Sequence, residues 1–276
     1  MKKIIAAAVA AAFVAPAFAA DVTLSGAQEF SYTDSNGATE TAIDGHFSVA
    51  ASTETANGLS VSANIDLDNE GGEDGGNSLK IGGDFGSLTL GDTSSAADSV
   101  DDRTDYDKVL GLGTAAGDAG IGWKLPTMVP GLKVYVSHGA DTDEETDSEA
   151  HTGVALSYSS GPISVAWAEN NNDDGTKITY VGGTATFGGV ALSIERMDDD
   201  ATDTEEAAIG VKYGMGDLTL YAATMETQVA NVVDEDQTAV GLQYSLGGGV
   251  TAFLENRTDA KDATADATAA GVEFKF

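Results

Sequence analysis

Carboxylates are the reactive groups that this sequence supplies in quantity. From Asp92 to Asp118 the chain reads DTSSAADSVDDRTDYDKVLGLGTAAGD, where Asp98, Asp101, Asp102, Asp105 and Asp107 recur at short intervals around Arg103 and Lys108. Such a run makes a local negative field that draws cations, and acidic side chains ringing a pore favour cations over anions. Arg103 and Lys108 would offset part of that charge and hold the segment by ion pairs. A loop this long is uncommon in a compact protein unless it is functional or disordered. The other reading is an external, solvated loop.

Other chemistries find little support. The chain has no cysteine, which removes thiolate catalysis and thiolate metal sites, and its 3 histidines are scattered. It contains no G-x-S-x-G elbow, no phosphate-cradling GxxxxGK[ST] and no HExxH, so it is not read as an enzyme. The stretch DLDNEGGEDGGN begins like a Ca²⁺ loop with Asp66, Asp68 and Glu70, but Asn77 stands where a bidentate Glu is needed. It reads as an acidic surface loop that would hold Ca²⁺ loosely at most, and no cofactor is expected. His138 and His151 flank ADTDEETDSEA and could meet across a hairpin, a weak zinc signal without a third fixed ligand.

Those residues have to be positioned by strands. The chain has 45 Asp and Glu against 13 Lys and Arg, a formal net charge of −32, which argues against nucleic acid as a partner. The N-terminus MKKIIAAAVAAAFVAPAFA has two lysines, a short apolar run and an Ala-Phe-Ala cleavage site, which reads as a secretory signal peptide over residues 1–19. A single domain is expected over 20–276. No later segment approaches the ~18 consecutive apolar residues of a spanning helix, so any membrane role must be built from strands.

Period-2 alternation runs the length of the mature chain. In GLSVSANIDLD, Leu59, Val61, Ala63, Ile65 and Leu67 alternate with polar residues, and GLKVYVSHG, GPISVAWAEN and TAVGLQYSL repeat the pattern. The spacers alternate between short ones such as SSG, FGG and GMG and long acidic ones such as TDSNGATE, NNNDDGT, DDDATDTEE and TQVANVVDEDQ. Counting between them gives 16 strands joined by seven short turns and eight long loops, with 14 to 18 strands inside the counting error. At ~9–11 residues per spanning strand this uses roughly 150–175 residues. Many strands in up-and-down order must close to remove their edges, and in a bilayer a closed barrel is the only strand solution. The predicted fold is therefore all-β, a closed antiparallel transmembrane β-barrel. The rival is a soluble β-sandwich or β-solenoid.

Parity then assigns faces. Glu29, His46, Asp66, Lys80, Lys124, Lys133, Lys212, Glu255, Glu273 and Lys275 lie opposite the apolar faces, so they are expected on the lumen wall, with Lys80 and Lys124 flanking the long loop in sequence. Trp123, Trp167, Tyr158, Tyr180, Tyr213, Tyr244, Phe274 and Phe276 fall near strand ends or on apolar faces, as in the aromatic girdles of membrane barrels.

The segment FGSLTLGDTSSAADSV followed by AGIGWKLPTMVPGLKVYVSHG resembles the general diffusion porins of Gram-negative bacteria. Its elements are the strand ending at Gly91-Asp92, the Asp-rich loop 92–118, the strand 121–125, Pro130-Gly131 and the strand 132–136. The terminal GVEFKF also resembles the porin end signal. The resemblance implies a homotrimer in the bacterial outer membrane, among lipid and lipopolysaccharide. It also implies a third long loop folded inward as a constriction facing a basic wall, and a terminal Phe276 read by the outer-membrane assembly machinery. The implied function is passive diffusion of small hydrophilic solutes and ions, to which the loop aspartates would add a weak cation preference. The chain departs from that family in having no Lys or Arg in its early strands before Lys80. A structural or surface-binding barrel with a plugged lumen and ion-binding acidic loops is the alternative.

Overall fold

The computed structural model describes residues 21–68, 76–101, 103–106, 118–139 and 150–276. Sixteen strands run in chain order: β1 (Asp21–Ser35), β2 (Ala38–Glu54), β3 (Ser60–Asp68), β4 (Asn77–Gly83), β5 (Gly86–Ser94), β6 (Asp118–Lys124), β7 (Leu132–Gly139) and β8 (His151–Ser160). There follow β9 (Ile163–Asn172), β10 (Lys177–Phe187), β11 (Val190–Asp199), β12 (Thr204–Met215), β13 (Leu218–Val229), β14 (Val232–Gly247), β15 (Val250–Asp259) and β16 (Ala267–Lys275). Each pairs antiparallel with its neighbours, and β16 pairs with β1 to close the barrel. Closure leaves no unpaired sheet edge.

The alternation in sequence becomes two faces. Outward stand Leu156 and Tyr158 on β8, Ile163, Val165 and Trp167 on β9, Leu192 and Ile194 on β11 and Val272 and Phe274 on β16, all exposed. Exposed apolar side chains over a continuous outer surface suit lipid as the neighbouring solvent. Inward, the same strands carry Ala155, Ala166, Ala168, Ser193, Ala267 and Ala269, all buried.

The acidic spacers are shorter than the sequence suggests. TDSNGATE is mostly strand, with β1 and β2 joined only by Asn36-Gly37, and TQVANVVDEDQ likewise turns only at Ala230-Asn231. All four turn residues have positive φ, between 51° and 81°, the backbone that matches a two-residue hairpin to strand twist. β1, β2 and β14 consequently reach 15, 17 and 16 residues, well beyond a bare span.

The seam of β1 and β16 is sealed at one end by the last residue. Gly26 and Phe276 exchange N–H···O bonds of 3.0 Å, and the Phe276 ring lies over Gly26 on the outer face. A Cβ at Gly26 would stand 2.6 Å from the His46 carbonyl oxygen and 2.8 Å from Phe276 Cζ, so only glycine fits beneath that ring.

Candidate functional site

The long loop leaves the wall at a defined point. Pairing of β5 with β6 slips between Leu90 and Thr93, and Gly91 adopts φ 96° there, so the chain kinks as a bulged strand does. A side chain at Gly91 would collide with the Asn77 carbonyl oxygen across the ladder, 2.2 Å from an ideal Cβ. From this kink residues 95–101 and 103–106 run along the inside of the barrel.

Three anchorages hold the loop. At its start, Ala96 N–H donates to Ser137 Oγ (2.8 Å), Ala97 N–H donates to Asn170 Oδ1 (3.3 Å), and Asn170 Nδ2 donates to Ser95 Oγ (2.9 Å). Ser95, Ala96 and Ala97 are fully buried there, packed with Ala155, Ala166, Ala168 and Tyr180. The small wall residues make room for this backbone.

The second anchorage is Glu195 of β11. Its carboxylate accepts from the main-chain N–H of Arg103 (2.8 Å) and Thr104 (3.0 Å), from the Thr104 hydroxyl, and from Tyr180 Oη (3.0 Å). Glu195 is only 4% exposed, and a buried carboxylate is tolerated where donors satisfy its oxygens. The Arg103 guanidinium donates to Ser164 Oγ at 3.2 Å. Arg103 thus holds the loop through its amide and a wall serine.

The third anchorage is Tyr106. Gln243 Nε2 donates to the Tyr106 carbonyl oxygen (2.8 Å), the ring meets Tyr221 edge-on at 6.3 Å between centroids, and Lys212 Nζ lies 4.5 Å from the ring centroid. That last distance is within cation–π range. Burial raises the Tyr106 phenol above its ordinary pKa, so the ring stays neutral under the lysine. Behind it Tyr221 Oη donates to the buried Glu255 at 2.7 Å.

Of the predicted loop residues, Asp98, Asp101, Arg103 and Asp105 are therefore on this inward segment, whereas Asp102, Asp107 and Lys108 lie outside the described residues. Among the lumen-wall residues, Glu29 sits directly across from Asp44 and Glu273, and Lys275 Nζ pairs with Glu273 at 3.0 Å. His46 is in register with Ala27 and Asp68, and Asp66 accepts from Asn64 Nδ2 (2.6 Å) and from the Ser48 hydroxyl. Lys80, Lys124, Lys133 and Lys212 occupy the half of the barrel next to the short turns. At the opposite rim Asp198, Asp199, Asp200, Asp203 and Glu205 surround an acidic cleft of about 160 Å³.

Two expectations are corrected by the geometry, and the weak zinc signal is set aside. Tyr180 faces inward and is fully buried against Glu195, because β10 places it on the lumen side with Gly182 and Thr184. His138 and His151 are near in register, His138 opposite Thr152 and His151 opposite Gly139, but on opposite faces of the sheet, so they cannot share a metal ion. Trp167 is exposed outward but sits mid-strand, whereas Trp123, Tyr158, Tyr213, Tyr244, Phe274 and Phe276 form an outward series near the short turns. The acidic stretch after Asp68 lies outside the described residues.

Glu195 was not among the expected residues. Parity with Leu192 and Ile194 would have pointed it inward, but nothing local indicates that two loop amides 91 and 92 residues away settle on it.

Comparison with known proteins agrees with this geometry. The barrel superposes on a porin refined at 1.8 Å resolution with a TM-score of 0.78, at 17% identity, covering 93% of this chain and 100% of that one. Two variant structures of the Rh. blastica porin give TM-scores of 0.72 and 0.73 at 17% and 18% identity, with the same coverage. At such identities the likeness shows the fold. No curated protein matches the chain in sequence. The family model for the Gram-negative porin matches residues 6–273. Spanning nearly the whole chain, that match establishes that the protein belongs to the Gram-negative porin family.

Proposed function

We propose that this porin is an outer-membrane channel in which small hydrophilic solutes and ions diffuse passively, weakly favouring cations. The observation that carries the reading is the unequal inner wall. Residues 95–101 and 103–106 lie against the wall from β7 to β14, while Asp44 and His46 on β2 and Lys80 on β4 stay exposed on the inner face. A loop laid along one side narrows a passage instead of filling it. The carboxylates of Asp98, Asp101 and Asp105 then lie on the segment that sets the narrowest section, and acidic groups there favour cations. Export by the signal peptide read in residues 1–19 completes the reading, together with homotrimer assembly and entry through the barrel-assembly machinery, which the family alone supports.

The test is reversal potential in a planar bilayer under a KCl gradient. Neutralising Asp98, Asp101 and Asp105 together to Asn should move the potential toward zero or to the anion side. An unchanged potential would remove the loop aspartates from the selectivity mechanism, and absence of discrete current steps from the wild-type protein would remove the channel.

A further inference from the structure

Between the first half of the inward loop and the wall of β6, β7 and β8 there is a cavity of about 350 Å³. Its chemistry is opposite to that of the chain as a whole. Lys124 and Lys133 both line it, together with Ser94, Ser99, Tyr135 and Ser157. No acidic residue lines it among the described residues, although the chain carries a formal charge of −32.

Register explains why the lysines share one space. Lys124 stands directly across from Tyr135, and Lys133 lies two residues before Tyr135 on the same strand and the same face. The two lysines are therefore diagonal neighbours, with side chains leaving the sheet roughly 7–8 Å apart. Lys177, Arg196 and Lys275 are engaged in ion pairs at 2.8–3.2 Å. Lys124 and Lys133 have no carboxylate within that reach among the described residues, and the hydroxyls of Ser94 and Ser157 make no hydrogen bond among them either.

The roof and wall of this cavity are fixed. Tyr135 Oη donates to the Ser94 carbonyl oxygen at 2.9 Å and lies 3.1 Å from Thr93 Oγ1, while Ser99 Oγ donates to the Ala96 carbonyl oxygen at 2.7 Å. The apolar side chains of the lining are those of Val100 and Ala155.

We infer that this cavity is a binding subsite for a small dicarboxylate anion on the path through the channel. Lysine recognises an oxyanion as a point charge, and free hydroxyls donate to the remaining carboxylate oxygens. Two ammonium groups set apart by the sheet diagonal match two carboxylates joined by a short carbon chain better than one compact oxyanion. The apolar side chains of Val100 and Ala155 suit the intervening methylenes, and the volume falls at the lower end of small-molecule sites. The inference rests on the channel reading for its place on a diffusion path: in a lumen with acidic groups on loop and rim, a doubly charged anion is repelled unless a local cationic site offsets the repulsion.

Succinate is the probe, used in isothermal titration of the purified full-length protein in detergent at low salt. One saturable site per chain is expected, with affinity at least tenfold weaker in Lys124→Gln/Lys133→Gln and in Ser157→Asp, which adds a carboxylate to the cavity wall. Retained heat-modifiability on gels would establish that each variant barrel is folded. The inference is overturned if wild-type protein shows no saturable binding, if folded variants bind as tightly, or if inorganic phosphate competes as strongly as succinate. Binding is read without current, so a barrel that binds succinate but does not conduct would defeat the channel reading alone. A barrel that conducts but does not bind would defeat the subsite alone.

Discussion

Replacing Glu195 with Gln tests how the inward loop is held. The carboxylate receives two loop amides, one loop hydroxyl and the Tyr180 phenol, and hydrogen bonds to a charged group contribute about 1.5–3 kcal/mol each. The four are not additive, since they share two oxygens. Glutamine keeps the shape and one accepting oxygen, but its NH₂ would face a donor, leaving one or two donors without an acceptor. The expected weakening of loop attachment is about 3 kcal/mol, which is on the order of a 100-fold rise in the detached population. The barrel ladder is untouched, because Glu195 pairs through its backbone with Gly182 and Ala208. Amide hydrogen exchange should therefore show faster exchange at Arg103 and Thr104 by roughly that factor, with strand amides of β10–β12 unchanged. Open-channel current noise should rise in the same variant. If exchange at Arg103 and Thr104 stays within about threefold of wild type, the carboxylate is not what holds the loop.

Two further outcomes follow from the seam and the outer face. Deleting Phe276, or replacing Gly26 with Val, should reduce the yield of folded barrel in the membrane far more than it alters the conductance of whatever assembles; the heat-modifiable gel fraction reads this, and normal yields in both would refute the latch. Both tryptophans, Trp123 and Trp167, face outward, so lipids brominated on their acyl chains should quench nearly all tryptophan emission, deep bromines acting more on Trp167 and shallow ones more on Trp123. Emission resistant to every bromine position would place one of them away from lipid.

The parts legible in sequence are those written by local repetition. Alternation of Ile163, Val165 and Trp167 with small residues fixes which face meets lipid, and the alternation of short glycine-bearing turns with long acidic spacers gives the strand number. Spacer length was harder, because acidic composition does not decide between loop and protruding strand. In TQVANVVDEDQ the β-branched residues Val229, Val232 and Val233 continue the ladder past the acids, and only Ala230-Asn231 turns. The anchorage of the loop was not legible at all. Tyr180 and Glu195 read as an interface aromatic and an ordinary strand acid, since their roles arise from contact with Arg103 and Thr104 far along the chain.

The separation of charge along the barrel axis makes its two mouths unlike. Lys80, Lys124, Lys133 and Lys212 lie toward one end, and the inward carboxylates Asp199, Glu206 and Glu235 crowd together toward the other, so the inner surface is more acidic at one mouth than at the other. Mobile ions respond to it: cations accumulate at the more acidic entrance, within about a Debye length of 8 Å at physiological salt. A voltage of one sign drives that accumulated population into the narrow section, and the opposite sign draws it away. A passive pore with this arrangement is a rectifier, conducting better in one direction although no part of it moves.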